Sequence, residues 1–135
     1  MKTIIVDTNI LFSALLSKGS KIRKIITDSK YDLCSCNYAI FELFKHKEKI
    51  LKNAEVTDEE LFFIFQEIMS KIQFYKEDFL SKESLSKAYQ LCHNVDLKDL
   101  FFVALSIELD GYLWTGDKKL KGVLREKEFN KFFEI

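Results

Sequence analysis

The sequence predicts an α/β domain in which helices cover a mainly parallel β-sheet. Three observations carry that prediction. Segments with strand character alternate with segments of helical periodicity along the chain, and no linker, repeat or low-complexity stretch interrupts them. Leu100 to Leu109 is almost wholly apolar and free of Gly and Pro, so it reads as a helix buried over most of its circumference. Asp110 and Gly111 stop it, and Tyr112 to Trp114 follow as a short aromatic and apolar run suited to a central strand. The 135 residues, 47% of them hydrophobic, are enough for one well-buried domain spanning 1–135 and too few for two.

The elements follow in order. Thr3 to Val6 reads as a strand, and the polar cluster Asp7, Thr8, Asn9 precedes a helical pattern from Ile10 to Leu16. Helix capping is the ordinary use of such residues, but three together at a strand's C-terminal end exceed what one cap needs. A second helix, Lys21 to about Ser29, puts Ile22, Ile25 and Ile26 on one face, and Tyr31 to Ser35 is the second strand. Asn37 is placed to cap a helix carrying Ile40, Leu43 and Phe44, with Glu42 in that apolar setting and Lys45, His46, Lys47 and Lys49 behind it. Thr57 and Glu60 have capping-box spacing ahead of a strongly apolar helix from Leu61 to Ile72. Core packing accounts for most of that helix, and its width leaves room for a dimer surface or a partner's helix. Gln73 to Tyr75 reads as a strand, Ser84 to Cys92 as a helix with Leu85, Ala88 and Leu91 inward, and Phe129 to Ile135 as a closing edge strand.

Composition excludes several classes. No apolar run approaches the roughly 20 residues of a membrane span, and MKTIIVDTN enters a strand directly, unlike a signal peptide. A soluble, cytoplasmic protein is expected. Three cysteines, with Cys34 and Cys36 alternating on one strand face, point to buried thiols rather than a disulfide framework. His46 and His93 lack zinc-ligand spacing and read as surface or helix-end residues. With 21 basic and 21 acidic residues, a nucleic-acid partner would have to be held by local patches.

The acidic residues divide into two groups. Asp58, Glu59, Glu77 and Glu126 lie on polar faces and read as solvated. Asp7, Glu42, Asp99 and Asp117 instead adjoin strand C-termini or apolar helices, where an unpaired charge is costly. Asp96 and Asp99, three apart, share the positive end of the 100–109 helix. Converging carboxylates repel one another unless a cation neutralises them, and a set of hard oxygens suits one or two Mg²⁺ or Mn²⁺ ions. Phosphoryl chemistry on nucleic acid is the natural use of such a site.

VDTNIL near the N-terminus, FELFKH around Glu42 and DLKDLFFVALSIELDGYLWTGDKKL near the C-terminus occur in an order that resembles the PIN-domain nucleases, especially VapC-like toxins of toxin–antitoxin pairs. The resemblance covers essentially the whole chain. It implies a three-layer α/β/α sandwich and a Mg²⁺- or Mn²⁺-dependent ribonuclease whose metal-binding, catalytic quartet is Asp7, Glu42, Asp99 and Asp117. It also implies that Asp96 is an auxiliary ligand, and that Thr8 or Asn9 and Thr115 orient the carboxylates or a water on the ion. A homodimer silenced by a cognate antitoxin belongs to the same implication. Lys45, His46, Lys47, Lys118, Lys119 and Lys121 flank Glu42 and Asp117 and could form a phosphate-contacting rim or an ordinary solvated surface. Other readings fit less well. Gly111 and Gly116 have Walker A spacing, but Asp117 stands where the lysine belongs, and a haloacid-dehalogenase-like phosphatase would need an acid at Asn9. A non-cleaving PIN-like binding module and a DNA-directed nuclease remain the competing classes.

Overall fold

The computed structural model describes residues 1–17, 20–28 and 30–135. Strands β1 (Thr3–Val6), β2 (Asp32–Cys36), β3 (Gln73–Tyr75) and β4 (Tyr112–Trp114) form one sheet in the order β3-β2-β1-β4. Every pairing is parallel, with Ile5 opposite Cys34 on one side and Leu113 on the other. Such a sheet needs cover on both faces, hence the unbroken apolar run of β1, whose Ile4, Ile5 and Val6 are wholly buried.

Helices α1 (Thr8–Leu16), α2 (Lys21–Thr27), α3 (Asn37–Lys45), α4 (Lys47–Asn53) and α5 (Asp58–Lys71) follow β1 and β2. Of these, α2 to α5 all pack on α1. Helices α6 (Lys82–Cys92), α7 (Leu100–Leu109) and α8 (Lys118–Glu126) form a second group, with α6 against α7 and α8, and α7 across β1, β2 and β4. The outcome is the expected α/β/α sandwich. Phe102 to Ser106 are five consecutive buried residues of α7, so that helix is buried nearly all round as predicted. Each large apolar side chain sealed this way contributes about 1.5–3 kcal/mol. Among the described residues no helix is long and apolar enough to cross a membrane. The expected end of the second helix near Ser29 lies outside the described residues.

Several expectations are corrected. Helix α1 begins at Thr8, two residues before the apolar periodicity, because Asp7 is itself the cap and accepts from Ile10 N at 3.0 Å. Asn37 is the first helical residue rather than a cap, since β2 runs into α3 without a loop. The cap comes from Glu77, expected to be solvated, whose Oε1 accepts from Tyr38 N at 2.6 Å. Strand pairing explains this, because Cys36 lies opposite Tyr75 and Glu77 follows two residues later. The single helix expected after β2 breaks at His46 into α3 and α4.

Strand β4 is not central. It is the edge of the four-stranded sheet, and the expected strand from Phe129 to Ile135 covers it with one bridge, Leu113 to Phe132. Backbone bonds from Leu113 N to the Lys131 carbonyl at 2.8 Å and from Phe133 N to the Leu113 carbonyl at 2.9 Å tie that tail to β4, and Phe133 packs edge-on against Tyr31 and Trp114, each 5.0 Å away. The thiols of Cys34, Cys36 and Cys92 are buried and free, as expected, and burial pushes them up to about 11, 12 and 12.

Candidate active site

The strand order reverses at β1. The chain leaves β1 toward β2 and β3, then returns to place β4 on the other side, and in an open parallel sheet the crevice beyond the strand ends at such a point is where ligands bind. Asp7 leaves the end of β1 and Thr115 the end of β4, and Asp7 N donates to the Trp114 carbonyl at 3.2 Å across the gap. Sequence separation of more than a hundred residues is erased by one backbone hydrogen bond.

A cavity of about 230 Å³ opens at this point, lined by Asp7, Glu42, Asp96, Asp99 and Asp117. All five candidate carboxylates therefore share one cleft. Thr8, Asn9, Phe12, His46, Lys98 and Phe102 complete the lining. Three of the acids also hold turns in place. Asp7 caps α1, Asp117 caps α8 by accepting from Leu120 N at 3.0 Å, and Asp96 accepts from Lys98 N at 2.9 Å in the 3₁₀ turn Leu97–Asp99. Capping fixes one oxygen of each carboxylate at a helix start.

Hydroxyls orient the rest. Thr8 Oγ1 donates to Glu42 Oε1 at 2.6 Å, joining α1 to α3. Thr115, 2% exposed, accepts from Asp117 N at 3.1 Å, and its hydroxyl supports the Asp7 carboxylate. Asn9 is exposed and makes no such bond among the described residues, so it borders the cavity without orienting an acid.

Electrostatics report the same convergence. Burial pushes Asp7, only 4% exposed, up to about 6 despite the Thr115 hydroxyl and Ile10 N–H, and Asp117 and Glu42 add to the rise. Asp99 is pushed up to about 7 by burial and then by Asp7, Asp117, Asp96 and Glu42. The Tyr38 phenol is also raised, by burial first and then by Glu42 and Asp96. None of the ion pairs among the described residues involves one of the five acids.

The family model of the PIN domain matches residues 5–129, a span that holds every one of these carboxylates. The chain belongs to the PIN-domain family. PIN domains are generally nucleases, so membership points to a hydrolase of nucleic-acid phosphodiesters. No curated protein matches the chain significantly.

In this PIN domain the five carboxylates supply hard oxygen donors with surplus negative charge, and among the described residues His46 is the one nitrogen ligand type on the lining, a balance that fits Mg²⁺ or Mn²⁺ better than zinc. Among the described residues, no three His, Cys, Asp or Glu side chains are gathered closely enough to hold an ion as they stand. The basic residues are placed unevenly. Of the expected rim only His46 lines the cavity. Lys118 and Lys119 are exposed directly after Asp117, Lys45 is exposed three residues after Glu42, Lys47 faces an apolar groove on α3 to α5, and Lys121 turns toward Glu134 at 3.9 Å. Lys98, which the sequence reading passed over, does line the cavity; its place between Asp96 and Asp99 was the available signal. Phe12 and Phe102 were also missed, because an aromatic at helical spacing reads as core until the cavity wall is seen.

Proposed function

We propose that this PIN domain is a Mg²⁺- or Mn²⁺-dependent endoribonuclease that hydrolyses RNA phosphodiester bonds, acting as the toxin of a type II toxin–antitoxin pair. The observation that carries the reading is five carboxylates in one cleft with no paired cation among the described residues. Asp7, Glu42, Asp99 and Asp117 would hold the ion, with Asp96 as an auxiliary ligand. When bound, the ion would neutralise the cluster and act as a Lewis acid on the phosphodiester.

The chain's own groups would do the positioning. Capping through Oδ1 holds the Asp7 and Asp117 carboxylates at fixed helix starts, and Thr8 locks Glu42. Phe12 and Phe102 form an apolar wall that limits water around the reacting phosphate. Lys98 on the cavity's lining, with the exposed Lys118, Lys119 and Lys45 that follow Asp117 and Glu42 in the chain, would contact flanking phosphates.

An apolar groove of about 400 Å³, lined by Leu43, Phe44, Ile50, Leu61, Phe62 and Phe65, supports a homodimer or antitoxin contact. It also carries Lys47 and Asp58, one charge of each sign, which suits a self-complementary two-fold interface. A cytoplasmic site of action accords with three free thiols.

Incubation of the purified protein with labelled RNA and Mn²⁺, beside Asp7→Asn, tests the proposal. RNA cleavage that the substitution abolishes is expected. Equal cleavage by both proteins would trace to a contaminant, absence of cleavage by either would favour a non-cleaving binding module, and preference for labelled DNA would make this a DNA-directed nuclease.

A further inference from the structure

Phe41 is 61% exposed although it adjoins Glu42 in α3, so it contributes nothing to the core there. Its ring is stacked on Tyr38, with centroids 6.1 Å apart and planes inclined by 23°. Tyr38 in turn lies 5.6 Å from Phe101 and 6.4 Å from Phe102, which is a wall of the carboxylate cavity. A run of ring contacts therefore links Phe102 in the cavity wall, through Tyr38, to the exposed ring of Phe41. Phe41 is separate from the apolar groove on α3 to α5, where Phe44 packs edge-on against Phe65 at 6.4 Å.

We propose that Phe41, braced by Tyr38, is a stacking platform for an unpaired nucleobase next to the phosphate held in the carboxylate cleft. Base faces are hidden inside a duplex and free in single strands, so a lone aromatic beside a phosphodiester site selects unpaired substrate. Bracing matters because a ring already fixed by its neighbours loses little freedom when a base lands on it. Lys98, on the cavity's lining, supplies the positive charge that a phosphate flanking the stacked base would meet. The occupant is a base rather than a partner's side chain because the platform is joined through Tyr38 to the Phe102 wall of the cleft and adjoins Glu42 in the chain, beside where the phosphate would sit. This inference rests on the RNA-cleaving reading for its substrate.

The test uses the full chain with a labelled unpaired RNA, the same RNA annealed to its complement, and an unpaired RNA carrying 2-aminopurine, whose fluorescence falls on stacking. Phe41→Leu keeps an apolar side chain and removes the π-face; Phe41→Trp keeps it. The expected result is cleavage of the unpaired strand over the duplex and a KM raised about five- to a hundredfold by Phe41→Leu with kcat little changed. Phe41→Trp should restore KM, and 2-aminopurine quenching on binding should be lost in Phe41→Leu only. Unchanged KM and quenching in Phe41→Leu would overturn the proposal, as would equal cleavage of duplex. A shift in oligomeric state without any effect on RNA would assign Phe41 to a protein contact and overturn it too. If the wild-type protein quenches 2-aminopurine RNA through Phe41 but cuts none, the platform stands and the nuclease reading fails; if it cuts and Phe41→Leu matches it, the platform alone fails.

Discussion

Thr8 donates its hydroxyl to Glu42 Oε1 across 2.6 Å, so the first turn of α1 sets the direction of a carboxylate carried by α3. Thr8 is 5% exposed, which leaves water little chance to replace it. Thr8→Val keeps the volume and removes the donor. A fall of about tenfold or more in Mn²⁺ affinity is expected, the usual scale for losing an outer partner of a metal ligand, while Thr8→Ser retains most of it. Calorimetric titration with Mn²⁺ checks this, and equal affinity in Thr8→Val would show that the bond is incidental.

The carboxylate cleft should make stability depend on pH. Asp7 and Asp99 are raised from about 3.8 in the unfolded chain to about 6 and about 7. Their protonated forms are favoured by folding, so this contribution is full below the unfolded value and is lost as pH rises through the two folded values. For Asp7 the loss is on the order of 3 kcal/mol. In EDTA, the urea midpoint is expected to fall between about pH 4 and pH 7, and Mg²⁺ should flatten the decline by neutralising the cluster. Asp99→Asn should flatten it without metal. A midpoint independent of pH in EDTA would contradict the electrostatic account.

Gly111 lies where β4 meets β1, and a Cβ there would come within 3.1 Å of both the Thr3 carbonyl oxygen and Ile5 Cδ1. The backbone oxygen cannot move without disturbing the β1–β4 pairing. Gly111→Ala is therefore expected to destabilise by about 1–3 kcal/mol, measured by urea unfolding, as overpacking generally does. Gly116, with open space around its Cα, should accept Ala at little cost.

Glu77 caps α3 from a 3₁₀ turn beyond β3, with Oε1 accepting from Tyr38 N at 2.6 Å. Glu77→Ala should cost about 0.5–2 kcal/mol, the range for losing a helix cap. Because the same helix carries Tyr38 and Glu42, metal affinity should fall as well, and Glu77→Gln, which keeps an acceptor, should recover both. Thermal melts and Mn²⁺ titrations of the two variants decide it; loss of stability with unchanged metal affinity would confine Glu77 to capping.

The sequence by itself determined the parallel α/β class, because apolar runs such as Ile4 to Val6 and Leu100 to Leu109 are a local signal of burial on all sides. It also marked the acids of the cleft, since Asp7, Glu42, Asp99 and Asp117 stand at strand ends or in apolar helices where a lone charge is costly. Only the tertiary structure decided which groups meet them. The Thr8–Glu42 bond, the Glu77 cap, the placing of Lys98 on the cavity and the stacking of Phe41 on Tyr38 depend on strand register and helix packing between distant segments. The same holds for β4, whose aromatic run has central-strand character but which forms the edge of the sheet, covered by Phe132 of the tail. Local patterns record how much each residue is buried, whereas the identity of its neighbour is set only when the sheet order brings separate pieces of chain together.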